Sequence, residues 1–218
     1  MANTITVKGT GSVHVPPDTI EISFTLQAKA ERYADTMQIA EKKRTALTAA
    51  VLEAGCGEDA LKTADFRVNT DYEHLPDENG NYRPVFKGYV CVHSFRLELP
   101  VEMKLLAAVL GAAERSEAEP EFSVSFTVKD RFAVQEQVLR EAAAQARRNA
   151  EILADASGVR LGTLCAVSYE DSRSQMVSQT RCNLLAAGKI AMATADMNIA
   201  PDDITVEETA VFVWEILS

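Results

Sequence analysis

Long stretches of this chain alternate apolar and polar residues with a period of two. Ile20, Ile22, Phe24 and Leu26 alternate with Thr19, Glu21, Ser23 and Thr25. Further along, Tyr89, Cys91, His93, Phe95, Leu97 and Leu99 share one parity, as do Phe122, Val124, Phe126 and Val128. A period of two places every second side chain on one face, so each stretch predicts a strand with one buried face. Ile5, Val7, Val13 and Val15 form a shorter pattern of the same kind, broken by Gly9 and Gly11 and ended by Pro16-Pro17-Asp18. Proline has no N–H to give to a ladder, so that end is expected at a sheet edge or a bulge. Phe66, Val68, Thr70 and Tyr72 predict another strand, and Asn79-Gly80 turns it into the strand of residues 88–99. Cys165, Val167 and Tyr169 suggest a strand, and residues 204–217 close the chain with one more. The run Val211, Phe212, Val213, Trp214 predicts that this last strand is covered on both faces.

Three helices fit between the strands. Asp35 with Gln38 three residues on reads as a capping box for a helix ending before Gly55, with Met37, Ala40, Leu47 and Val51 inward. A second starts near Pro100 and carries Met103, Leu106, Leu110 and Ala113 on its apolar stripe. The longest spans roughly residues 131–157 and turns inward Phe132, Leu139, Ala142, Ala146, Ala150 and Leu153. Its alanines would let the helix lie close to a sheet, and Gly158-Val159 predicts a Schellman ending. The order is β-β-α-β-β-α-β-α-β-β. Hairpins dominate over βαβ units, so the fold class is α+β: antiparallel sheet with about three helices packed on it.

Composition limits the function classes. The 218 residues are 47% hydrophobic and 25% charged, ordinary globular values. Lys and Arg number 22 against 32 Asp and Glu, a net charge of −10. A nucleic-acid binder needs a basic footprint that this balance does not supply. No apolar run reaches the length of a membrane-spanning helix. Residues 1–10, MANTITVKGT, lack the features of a secretory signal. The expected compartment is therefore the cytoplasm, or the periplasm or extracellular space if a leader has been removed. The four cysteines form no CxxC pair and are read as reduced thiols, with one disulfide open as the alternative for an exported protein.

Gly9-Thr10-Gly11 suggests a phosphate loop, but no third glycine and no helix follow, so the glycines read as a bulge or tight strand bend. Cys91 and His93 could offer two metal ligands from one strand face, yet Tyr89, Phe95 and Leu97 share it, which favours packing in a core or between subunits. Asp71, Glu73, His74, Asp77 and Glu78 cluster at the hairpin tip and read as a solvated acidic hairpin rather than a calcium loop. Cys56, between Gly55 and Gly57, is a candidate redox-sensing thiol. No nucleophile elbow occurs. We assign no catalytic, cofactor-binding or metal residue and no cofactor.

Taken in order, several segments resemble the SIMPL-domain family. They are ITVKGTGSVHVPPDTIEISFTLQA at the start, DYEHLPDENGNYRPVFKGYVCVHSFRLEL in the hairpin, EAAAQARRNAEILADASGVRLGTLCAVSYE after the long helix, and ITVEETAVFVWEI at the end. The resemblance implies an α+β subunit that homo-oligomerises, with a link to envelope or oxidative-stress physiology, and it carries no accepted catalytic residues. Pro201-Asp202-Asp203 stands where a Pro-x-Gly-like turn is usual in that family. We read residues 1–218 as one such domain that could divide into two intertwined subdomains, with a hairpin arm at 74–87. Residues 171–203 are read as a mobile or oligomerisation arm that could hide a short helix near 184–191. The leading expectation is a non-enzymatic self-assembling subunit. The alternatives are a metal-assisted hydrolase using the acidic hairpin and a peptide-binding adaptor that accepts an added strand.

Overall fold

The computed structural model describes residues 3–76, 82–170, 176–180 and 199–217. Its elements run β1 (Thr4–Val15), β2 (Thr19–Ala30), α1 (Tyr33–Glu53), β3 (Leu61–Pro76), β4 (Tyr82–Pro100), α2 (Met103–Arg115), β5 (Glu121–Thr127), α3 (Arg131–Ala156), β6 (Arg160–Tyr169) and β7 (Ile204–Leu217). This is the α+β order that the alternating patterns predict. The Asn-Gly turn and the segment near 184–191 lie outside the described residues, as does most of the 171–203 arm. The chain divides into two compact units, one of Met1–Asp18, Thr127–Thr180 and Pro201–Ser218, the other of Thr19–Phe126 and Arg181–Ala200.

The second unit is a four-stranded sheet in the order β3-β4-β2-β5. Strands β2 and β4 pair antiparallel from Thr19↔Pro100 to Ala30↔Tyr89, which sets Ile22 beside Leu97 and Phe24 beside Phe95 on one face. Helices α1 and α2 cover that face, and Leu47, Leu106 and Leu110 are fully buried against it. Helix α1 begins two residues before the expected cap. Its N-cap is Arg32, without a side-chain cap, and Asp35 sits in the first turn, where a carboxylate favours the helix dipole. It ends at Gly55 (φ 94°), whose N–H donates to the Leu52 carbonyl while the Cys56 N–H donates to that of Val51. Strand β4 runs through to Pro100, so α2 starts only at Met103.

The first unit is a three-stranded sheet, β1-β7-β6, with α3 across one face. Here the reading of Gly9 and Gly11 is corrected. Strand β1 pairs with β7 without a register shift from Thr4↔Glu215 to Val15↔Ile204, so there is no bulge. A Cβ at Gly9 would strike the Ala142 carbonyl oxygen, and one at Gly11 that of Val138. The glycines are the sheet's half of a close helix–strand contact, and Ala142, Ala146 and Ala150, all fully buried, are the helix's half. The remaining inward positions of α3 are Val134, Val138 and Ala154. Phe132 and Leu153, expected inside, are 79% and 49% exposed. Helix α3 ends in a Schellman pair, Val159 N–H to the Ala154 carbonyl and Gly158 N–H to that of Asp155. The last strand also departs from expectation. In β7, Ala210, Phe212 and Trp214 are buried with Ala146 and Ala150 on the α3 side, whereas Val211 and Val213 are only half-buried on the other. They sit opposite Lys8 and Thr6 of β1 and opposite Ser168 and Ala166 of β6.

Candidate interaction surfaces

The residues singled out for chemistry do not converge. Asp71 lies 3.8 Å from Lys29 and Glu73 lies 2.7 Å from Lys87, so the described hairpin carboxylates face ammonium groups. Asp77 and Glu78 lie outside the described residues. Among the described residues, no group of three or more His, Cys, Asp or Glu side chains is placed to hold a metal ion. Cys91 is fully buried and contacts the packed layer of Ala28 and Ala40. His93 lies between two rings: Phe66 edge-on at 4.9 Å and Phe95 tilted at 3.9 Å. Its Nε2 is 3.1 Å from the Thr63 hydroxyl. Burial holds its pKa below the ordinary histidine range, the Arg44 guanidinium adds to this, and Glu41 opposes it. Cys56 is not the open thiol its glycine neighbours suggest. It is half-buried against the α1–α2 core, and burial pushes its pKa up, as it does for Cys91. Cys165, on β6, is exposed.

What the structure does concentrate is uncovered strand. Four strands are sheet edges, and natural proteins blunt such edges with charge, brevity or cover. Strand β3 carries Lys62, Asp65, Arg67, Asp71 and Glu73. Strand β5 has only seven residues. On β1, the outward N–H of Thr10 donates to the Gln145 Oε1 of α3 at 2.6 Å, in a shallow hollow of about 360 Å³ also lined by Glu141 and Arg148. Among the described residues, strand β6 has register shifts near Leu164 and one hydrogen bond from Gln135 of α3 to the Tyr169 hydroxyl, but no neighbouring strand on its outer side. Its only charged residue is Arg160 at its start, and Leu164 and Val167 are each about half exposed.

A second uncovered surface is the far end of the β3–β4 hairpin. Strand β2 stops at Ala30, opposite Tyr89, but β3 and β4 stay paired from Asp71↔Gly88 to Pro76↔Tyr82. A bulge forms where Asp71 and Tyr72 meet Gly88 and Phe86, and Gly88 takes φ 142° there, with no room for a Cβ beside the Ala30 carbonyl. Beyond it the ribbon is two-faced. Tyr72, His74, Pro84, Phe86 and Tyr82 fall on one side, while Asp71, Glu73, Leu75, Arg83 and Val85 alternate to the other. Rings meet edge to face along the first side: Tyr33–Tyr89 at 5.7 Å, Tyr89–Phe86 at 5.5 Å and Phe86–Tyr72 at 5.7 Å. Sequence reading found the hairpin but weighed only its acids. The period-two placement of Tyr72, Tyr82 and Phe86 was the available signal. No described helix is long and apolar enough to cross a membrane.

The model of the SIMPL family, described as a protein of unknown function (DUF541), matches residues 5–214. No curated protein matches the chain. Among solved structures, CutA from Synechococcus elongatus PCC7942 is similar at 11% identity and a TM-score of 0.24, over 60% of this chain and 96% of that one. An uncharacterized conserved protein from Listeria innocua is similar at 9% identity and a TM-score of 0.27, over 95% of this chain and 92% of that one. At those scores neither likeness bears on function.

Proposed function

The chain belongs to the SIMPL family, and on that premise we propose that it is a non-enzymatic subunit that assembles with copies of itself. The observation that carries this reading is the bare edge of β6. Among the described residues its outer edge meets no further strand, Leu164 and Val167 are exposed, and the strand lacks the charges that keep edges apart. A strand from a neighbouring copy would satisfy the backbone groups and cover the apolar side chains in one step. The connection to stress physiology rests on the family resemblance, and sensitivity of a deletion strain to peroxide tests it separately.

Sedimentation velocity of Leu164→Lys/Val167→Lys checks the edge. The double variant is expected to dissociate while keeping its thermal transition. An assembly of unchanged size would remove β6 from the interface. The same edge supports a second reading, an adaptor that accepts an extended peptide as an added strand. A peptide that binds with unchanged subunit mass favours the adaptor, and one that binds only by dissociating the assembly favours self-pairing.

A further inference from the structure

We infer that the β3–β4 ribbon is a second contact between copies, in which its aromatic face packs on the same face of another chain's ribbon about a twofold axis. This rests on the self-assembly reading and deepens it by naming the partner of this surface. A two-stranded ribbon is marginal in water by itself. This one nonetheless leaves Tyr72 and Phe86 about half exposed and Tyr82 72% exposed, and Tyr33 of α1, in ring contact with Tyr89, is half exposed as well. At roughly 150–250 Å² per aromatic side chain, they present roughly 400 Å² of ring surface. A stable interface takes about 800 Å² from each partner. The rings alone thus supply half of one partner's share, and the prolines between them add to it.

Charge selects the occupant. The chain carries −10 overall, so two copies repel over most of their surface. Residues 71–88 hold the acids Asp71, Glu73, Asp77 and Glu78 against Arg83 and Lys87, but the described part of the aromatic face itself holds no carboxylate, lysine or arginine. Identical acidic chains therefore meet there at least electrostatic cost. A row of edge-to-face rings also offers both ring edges and ring faces to an identical row.

The test combines two variants of the full chain. Tyr72→Thr/Phe86→Thr keeps β-forming residues and removes four rings from a twofold contact. Sedimentation equilibrium is expected to show subunit dissociation weakened in its resistance by about 100-fold or more. Phe86→Cys, treated with a flexible bismaleimide linker and mapped by mass spectrometry, is expected to give an 86–86 cross-link between chains, and it decides the matter if the double variant fails to fold. Should wild type assemble while the folded double variant assembles equally well, or Phe86→Cys give no 86–86 link, the ribbon contact is overturned and the self-assembly reading stands. Should wild type stay monomeric at high micromolar concentration, both fall.

Discussion

Gly11 of β1 lies so close to the Val138 carbonyl of α3 that no side chain fits between them. Gly9 stands in the same relation to Ala142 one turn along. These contacts join a strand near the start of the chain to a helix well over a hundred residues later, and they explain why the helix presents alanine there. Gly11→Ala forces strand and helix apart and is expected to cost about 1–3 kcal/mol, the usual range for overpacking. Urea denaturation reads this directly, and an unchanged midpoint would remove the close contact.

Core and surface leucines should separate cleanly. Leu106 is fully buried under the four-stranded sheet, and Leu106→Ala is expected to cost about 2–5 kcal/mol. Leu153 sits on α3 but is half exposed, and Leu153→Ala should stay within about 0.5 kcal/mol. Equal losses at the two sites would mean that the face of α3 is misassigned.

His93 gives a pH dependence with a definite sign. Its folded pKa is depressed, so the unfolded chain, near 6.5, takes up the proton first as pH falls. The stability it contributes is therefore fully present above about pH 6.5 and drains as pH falls toward the folded value. The urea midpoint should drop between pH 7.5 and 5.5, and His93→Gln should flatten that drop. An NMR titration placing His93 above the ordinary range would reverse the prediction.

Thiol chemistry distinguishes the cysteines. Cys56 and Cys91 have raised pKa values through burial and should react slowly with maleimide, whereas Cys165, exposed on β6, should react first of the three described cysteines. Protein labelled when concentrated should show slower Cys165 modification than dilute protein if β6 is covered by a second copy. A rate independent of concentration speaks against that cover.

How far the residues announce this fold depends on how local the cause is. The strands were legible because period-two alternation is a property of neighbours, as in Ile20 to Leu26, and the helix ends at Gly55 and Gly158 were legible for the same reason. On α3 the inward Ala142, Ala146 and Ala150 were legible, whereas Phe132, Leu139 and Leu153 stood one or two positions from the buried Val134, Val138 and Ala154. Small alanines fix its middle, but apolar residues flank that stripe on both sides, so periodicity alone does not choose Val134 over Phe132. The role of Gly9 and Gly11 was illegible because their partners, Ala142 and Val138, are remote in sequence. Likewise, the unblunted edge of β6 depends on the strand order β1-β7-β6, which no local pattern encodes.

The mass of the purified full chain in solution, by light scattering at high micromolar concentration, tests the central claim most directly. Self-assembly predicts a species well above the 23.8 kDa of one chain, falling toward it on dilution. A single species at 23.8 kDa across the whole range would contradict it.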